Sequence, residues 1–246
     1  MGMDVAVSIQ NERLSKSEVV AKIQQLPRLD RELMAFRVAQ ELKDGMYVNL
    51  GIGIPTLVAN WIGDLDIILQ SEIGMLKTGP LASADEEDQD LINAGSQAVT
   101  ELPGTSYFNI VESFSMIRGG YMDAAVLGAL QVSEKGDLAS WNNPARGLGR
   151  LGGIGGSMDL AIGAKRVIVA MEHVTTNGEL RILKECTYPL TGQRCVDLIV
   201  TDLAVIEVTN RGLVLREAVP GVTPEDIQAL TEPALIVAED FKEMQL

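Results

Sequence analysis

Short, almost wholly apolar runs recur along the chain at residues 46–50, 66–70, 124–130, 166–171, 198–200, 203–208 and 212–215. A strand with one wet face alternates apolar and polar residues, whereas a run without alternation needs cover on both faces. The segments between the earlier runs are long enough for the helical crossovers that parallel neighbours require. The pattern predicts an α/β fold: an open, mostly parallel sheet with helices on both faces. Leu33, Met34, Val38 and Leu42 recur at helical spacing before the first run, with Gly45 as a stop. Pro55 suits the first turn of a helix running towards Trp61. Thr223-Pro224-Glu225-Asp226 reads as an N-cap, a proline at the first helical position and acids in the first turn. Residues 1–29 lack clear periodicity and read as an N-terminal extension with room for a short helix. Residues 30–246 read as one domain, since neither a repeat nor a linker interrupts them.

Charge narrows the function classes. The 246 residues carry a formal net charge of −14, which argues against nucleic acid, because phosphate-backbone binding relies on clustered Lys and Arg. A small anion needs only a local basic patch and stays open. No apolar stretch approaches the roughly 20 residues of a membrane span, and residues 1–28 lack a signal-peptide pattern. The expectation is a cytoplasmic protein that does not enter membranes. Cys186 and Cys195 form no CxxC pair, and the single histidine, His173, does not complete a usual zinc set with them; neither a metal nor a disulfide is expected. His173 reads as a satisfied histidine at a strand end. The acidic run at 85–90 reads as a solvated loop.

Three glycine-rich turns remain. Gly51-Ile52-Gly53-Ile54-Pro55 follows the first apolar run but lacks the GxGxxG spacing of a dinucleotide fingerprint. Gly152-Gly153-Ile154-Gly155-Gly156 suits either a nest of backbone N–H donors or a flexible connection. Between them, Ser71-Glu72-Ile73-Gly74 follows the second run. Ligands of open parallel sheets gather beyond the C-terminal strand ends. Position alone leaves Glu72 open between an attacking carboxylate and a surface-loop glutamate.

Seven stretches, in order, change that balance: NLGIGIPTLVANW (49–61), QSEIGML (70–76), DLINAGSQAVTELPG (90–104), SFSMIRGGYMD (113–123), LGALQVSEKGDLASW (127–141), GGIGGSMDLAIGAKRVIVAMEH (152–173) and ILKECTYPLTG (182–192). Through them the chain resembles the β-type, glutamate-bearing subunit of the 3-oxoacid CoA-transferase family. The resemblance implies that Glu72 is the nucleophile of a double displacement, in which it becomes a glutamyl-CoA thioester between acyl-CoA and a free carboxylic acid. It implies Gly155 and Gly156 beside the thioester carbonyl, and Asn49, Gly51, Gly53, Ile73, Gly74, Asn93 and Gly95 at the substrate. Arg118, Lys165 and Arg166 are candidates for CoA phosphates. No cofactor is implied, because the CoA thioester is a substrate. An α-type CoA-transferase subunit is implied as partner, in an α2β2 assembly. Two departures stand out: Ile73 where the family has asparagine after the glutamate, and Tyr121 where many relatives have histidine. Rival readings are an acyl-CoA hydrolase using the same glutamate and a non-catalytic assembly subunit.

Overall fold

The computed structural model describes residues 14–144 and 153–246. Residues 1–13 of the expected extension, and Gly152 of the third glycine turn, lie outside them. Among the described residues a ten-stranded sheet forms the frame. Its centre is parallel: β10 (Leu198–Val200), β8 (Val167–Ala170), β5 (Ala124–Leu127), β1 (Tyr47–Leu50) and β2 (Ile68–Ser71) lie side by side in that order. These are the predicted apolar runs. Every residue of β5 and β8 is buried, which accounts for the missing alternation.

The wings are built differently. Beyond β2, β3 (Met75–Leu81) and β4 (Val99–Tyr107) add antiparallel strands. Beyond β10, β11 (Ala204–Thr209) and β12 (Gly212–Ala218) form an antiparallel hairpin closed at Thr209 and Gly212, and β13 (Leu235–Glu243) pairs in parallel with β12. β3, β4 and β13 are not among the predicted strands. β4 is largely exposed and contains Pro103 and Gly104, so it leaves no continuous apolar run, and β13 opens on the apolar Leu235–Ala238 but ends in charged residues. A small second sheet joins β6 (Gln131–Ser133) to β7 (Leu138–Ala139) on one side and to β9 (Ile182–Leu183) on the other.

The helices cap as their sequences dictate. Asp30 accepts from Leu33 N at 2.9 Å to start α2 (Arg31–Ala39). Thr223 and Asp226 form a reciprocal capping box at α6 (Pro224–Ala229). Pro55 lies in the first turn of α3 (Ile54–Leu57), which continues as a 3-10 turn to Asn60. Helix α1 (Lys16–Gln25) occupies the region read as extension, and its Val19 and Ile23 join the same apolar cluster as the sheet. Arg37 of α2 is buried and donates to Glu217 at 2.7 Å and to Glu41 at 2.8 Å; Glu41 also accepts from Arg166 at 2.7 Å. Burial raises the Glu41 pKa, but hydrogen bonds from Arg166 and Arg37 outweigh it and hold the carboxyl below its ordinary range. No helix among the described residues is long and apolar enough to cross a membrane.

Candidate active site

Glu72 is the residue after β2, at the C-terminal edge of the parallel centre. The chain turns at once: Gly74 N donates to Ser71 O at 3.0 Å, and β3 runs back from Met75. Gly74 sits at φ 134, and a Cβ there would lie 2.2 Å from the Phe108 carbonyl oxygen. Only glycine fits both the backbone and the space. The turn therefore projects Glu72 at the strand end, half-buried.

Asn49 of β1 holds this carboxylate. Its Nδ2 donates to Glu72 Oε2 at 3.0 Å, to Gln70 Oε1 at 2.7 Å and to the Gln70 carbonyl at 3.0 Å. Asn49 is 1% exposed, so its contact with Glu72 is made from the buried side of the carboxylate. Asn93 and Ala94 meet Glu72, Gln70 and Thr56 around a cavity of about 40 Å³. Gly95 closes its loop by donating to Asn93 Oδ1 at 2.8 Å.

Helix α5 (Ser157–Gly163) brings the third glycine turn to the same place. A Cβ on Gly156 would stand 3.7 Å from Glu72 Cγ and 2.6 Å from the Phe114 ring, so the loop reaches Glu72 only because that residue is glycine. Gly155 and Gly156 have φ of opposite sign, 49° and −84°, the alternation from which backbone N–H nests are made. Phe114 belongs to α4 (Ile110–Arg118), whose N-cap Asn109 forms a capping box with Glu112. The first glycine turn meets the Asn93–Gly95 loop, since a Cβ on Gly95 would stand 3.6 Å from Ile52 Cγ1. Gly51 N donates to Val126 O at 2.8 Å, and Gly53, at φ 95, is the N-cap residue of α3.

Ile73 is 44% exposed and belongs to no apolar cluster. The basic candidates each have an acid partner: Arg118 with Asp159, Lys165 with Asp123 and Arg166 with Glu41, all at 2.7 Å. Both cysteines are free thiols, and burial pushes Cys186 up to about 12 and Cys195 up to about 11. His173 is fully buried between two threonines, as a satisfied core histidine should be. Residues 85–90 are exposed, and among the described residues no group of three or more His, Cys, Asp or Glu is arranged to hold a metal. Gln70 and Ser113, both buried beside Asn49, have no role that the sequence alone assigns. The spacing of two between Gln70 and Glu72 was the available signal, because it puts both on one face.

A family model described as coenzyme A transferase matches residues 31–230. The chain belongs to the coenzyme A transferase family. It is 53% identical over 209 residues to the B subunit of 3-oxoadipate CoA-transferase from Pseudomonas putida, covering 85% of this chain and 97% of that protein. It is 50% identical over 210 residues to the B subunit of a probable succinyl-CoA:3-ketoacid coenzyme A transferase from Bacillus subtilis, covering 85% of this chain and 96% of that protein. The same 85% of this transferase-family chain spans only 40% of the mitochondrial succinyl-CoA:3-ketoacid coenzyme A transferase 2B of Mus musculus, at 49% identity. Among solved structures, an acyl-CoA transferase of Escherichia coli O157:H7 shares the fold with a TM-score of 0.70 at 22% identity, over 90% of this chain and 44% of that one. This family member thus spans less than half of that longer chain. Glutaconate coenzyme A-transferase of Acidaminococcus fermentans superposes with a TM-score of 0.62 at 18% identity, over 89% of this chain and 90% of that one.

Proposed function

We propose that this chain is the glutamate-bearing subunit of an acyl-CoA:carboxylate CoA-transferase, and that Glu72 carries CoA as a thioester between the two half-reactions. The observation that carries this reading is the Glu72 carboxylate at the C-terminal end of a parallel strand, with one oxygen held by Asn49 and the Gly155–Gly156 backbone beside it. A Glu72 oxygen attacks the thioester carbonyl, the C–S bond breaks, and CoA thiolate leaves an acyl-glutamyl anhydride. The thiolate then attacks the Glu72 carboxyl carbon, the original acid departs with the bridging oxygen, and glutamyl-CoA remains. An acceptor carboxylate reverses the sequence. A carboxylate nucleophile suits the task, because its anhydride splits one hard exchange into easier ones.

Each addition develops an oxyanion. Backbone N–H groups at Gly155–Gly156 are the donors for the acyl centre, a contribution of about 3–4 kcal/mol where such a donor is pre-placed. The acids belong to the 3-oxoacid or short-chain class, a reading supported by the names of the relatives. Those relatives are named as B subunits, which supports an α-type partner carrying the rest of the site; the assembly we propose is α2β2. Compartment follows the same reading: a cytoplasmic enzyme, with CoA thioester as substrate and no resident cofactor.

Trapping tests the mechanism. The assembled enzyme is incubated with acyl-CoA, reduced with borohydride and digested, and the modification is located by mass. Reduction confined to Glu72 is the expected result. Label on another residue, or CoA release that no acid accepts, would sink the transferase reading, the second outcome pointing to a hydrolase.

A further inference from the structure

Behind the candidate nucleophile runs a chain of buried side chains. Gln70 and Glu72 are two positions apart, and Asn49 is the in-register partner of Gln70 across the parallel β1–β2 ladder. All three side chains therefore leave the same face of the sheet. Helix α4 lies over that face: Ser113, 0% exposed, accepts from Gln70 Nε2 at 2.8 Å. Gln70 Oε1 then accepts from Asn49 Nδ2, and Asn49 Nδ2 reaches Glu72 Oε2.

The amide at the centre is over-committed. Asn49 Nδ2 has two hydrogens and three oxygen acceptors within 3.0 Å. How those hydrogens divide between Gln70 and Glu72 depends on where Gln70 Oε1 stands, and Ser113 fixes that by holding the other end of the Gln70 amide. The three oxygens also settle which way round the Asn49 amide lies. Its Oδ1 is left buried without a partner among the described residues. Folded proteins rarely leave a buried acceptor in that condition. The arrangement makes sense if the Asn49 donor is kept aimed at Glu72.

We infer that Gln70 and Ser113 are positioning residues for Glu72, acting through Asn49. The inference rests on Glu72 being the nucleophile. Neither residue touches the reacting atoms. Together they keep Oε2 engaged, so that Oε1 is the oxygen free to attack. When thiolate later adds to the glutamyl carbon, negative charge develops on Oε2, where the Asn49 donor already points. The relay thus serves two steps without motion between them.

The test is single-turnover loading of Glu72 from acyl-CoA in the assembled enzyme, quenched with borohydride and quantified by peptide mass, for Ser113→Ala, Gln70→Leu and the pair. Gln70→Leu should slow loading about 30-fold and Ser113→Ala about fivefold, with KM for acyl-CoA within about twofold and thermal midpoints close to the parent, the signature of an interaction realised in the transition state. The pair should be no slower than Gln70→Leu alone, because Ser113 acts only through Gln70. Loading within about twofold of the parent in Ser113→Ala, or fully additive losses in the pair, overturns the relay while leaving Glu72 as nucleophile. Should Gln70→Leu fail to fold, Ser113→Ala decides alone, since it removes one buried oxygen and nothing else. Absence of label on Glu72 in the unsubstituted enzyme overturns the mechanism itself, and this inference with it.

Discussion

Two buried polar clusters sit at strand ends of the same sheet, and they are finished differently. Just past β8, His173 has its Nδ1 3.0 Å from the Thr201 hydroxyl and its Nε2 3.0 Å from the Thr231 hydroxyl, while its backbone N–H donates to Asp202 at 2.7 Å. Thr231 in turn donates to Ile227 O at 2.8 Å. Both ring nitrogens are satisfied and the ring is closed to solvent. Past β2, the cluster around Glu72 is left incomplete: Asn49 Oδ1 and Ser71 Oγ are buried without partners among the described residues, and the carboxylate is half-open. A satisfied network stabilises the fold, whereas unsatisfied buried atoms cost stability and persist where something else depends on them. The first cluster ties strand ends together, and the second, on the proposed function, is the one set for chemistry.

Substitutions should separate the two. The largest effect is expected at the open cluster: Glu72→Ala should lower kcat/KM by at least about 10⁴-fold, more than about 5 kcal/mol of transition-state stabilisation, with a thermal midpoint close to the parent. Retained transfer in that variant would remove the chemical half of the contrast. The closed cluster should respond the opposite way. His173→Ala leaves a void and removes the ring's contacts with the Thr201 and Thr231 hydroxyls, and should cost about 3–4 kcal/mol of unfolding free energy in denaturant titration, with kcat per folded enzyme unchanged. A large loss of turnover with stability intact would mean that His173 is not merely structural.

Acid sharpens the same contrast. Burial pulls the His173 pKa down from 6.5 to about 4. The folded state thus refuses a proton that the unfolded chain accepts below pH 6.5, so stability falls as pH drops from about 6.5 towards 4. The full loss is about 3 kcal/mol. Glu41 and Glu172, held low in the fold by arginine partners although burial opposes this, lose their contribution only at still lower pH. Because the chain has one histidine, His173→Gln should flatten the stability curve between about pH 6.5 and 4.5. A slope that survives the substitution would assign the acid sensitivity to carboxylates.

The parallel centre was legible in the sequence because strands buried on both faces cannot hide: residues 124–127 and 167–170 are apolar throughout. The antiparallel wings were legible only in part, since β4 meets water along most of its length and carries no apolar run. The family was legible through motif resemblance, and the same motifs single out Glu72 and the glycine turns. The polar relay was not. Gln70 and Ser113 are 43 residues apart, and nothing in either local sequence says that α4 lies over β2. The basic candidates Arg118, Lys165 and Arg166 show the converse, because local sequence exposed their charge and concealed the acids that neutralise it.

The smallest expected effect concerns Ile73, which occupies the position next to Glu72 yet lies outside both clusters. At 44% exposure it does not fill the core, so volume alone does not account for an isoleucine there. Its side chain also takes no part in lining the small cavity beside Glu72; on the proposed function it then stands on the side open to an acyl group. Covering about 40 Å² of it against an apolar acyl chain would be worth about 1 kcal/mol at about 25 cal/mol per Å², a factor of about five in kcat/KM. A dicarboxylate gains little from that contact and leaves its second carboxylate facing an alkyl group. Ile73→Asn in the assembled enzyme should therefore lower the butyrate-to-succinate ratio of kcat/KM about fivefold, with Glu72 loading retained. If the ratio moves by less than about twofold while association with the partner weakens, Ile73 faces the partner rather than the substrate, and specificity must be sought on that other half of the site.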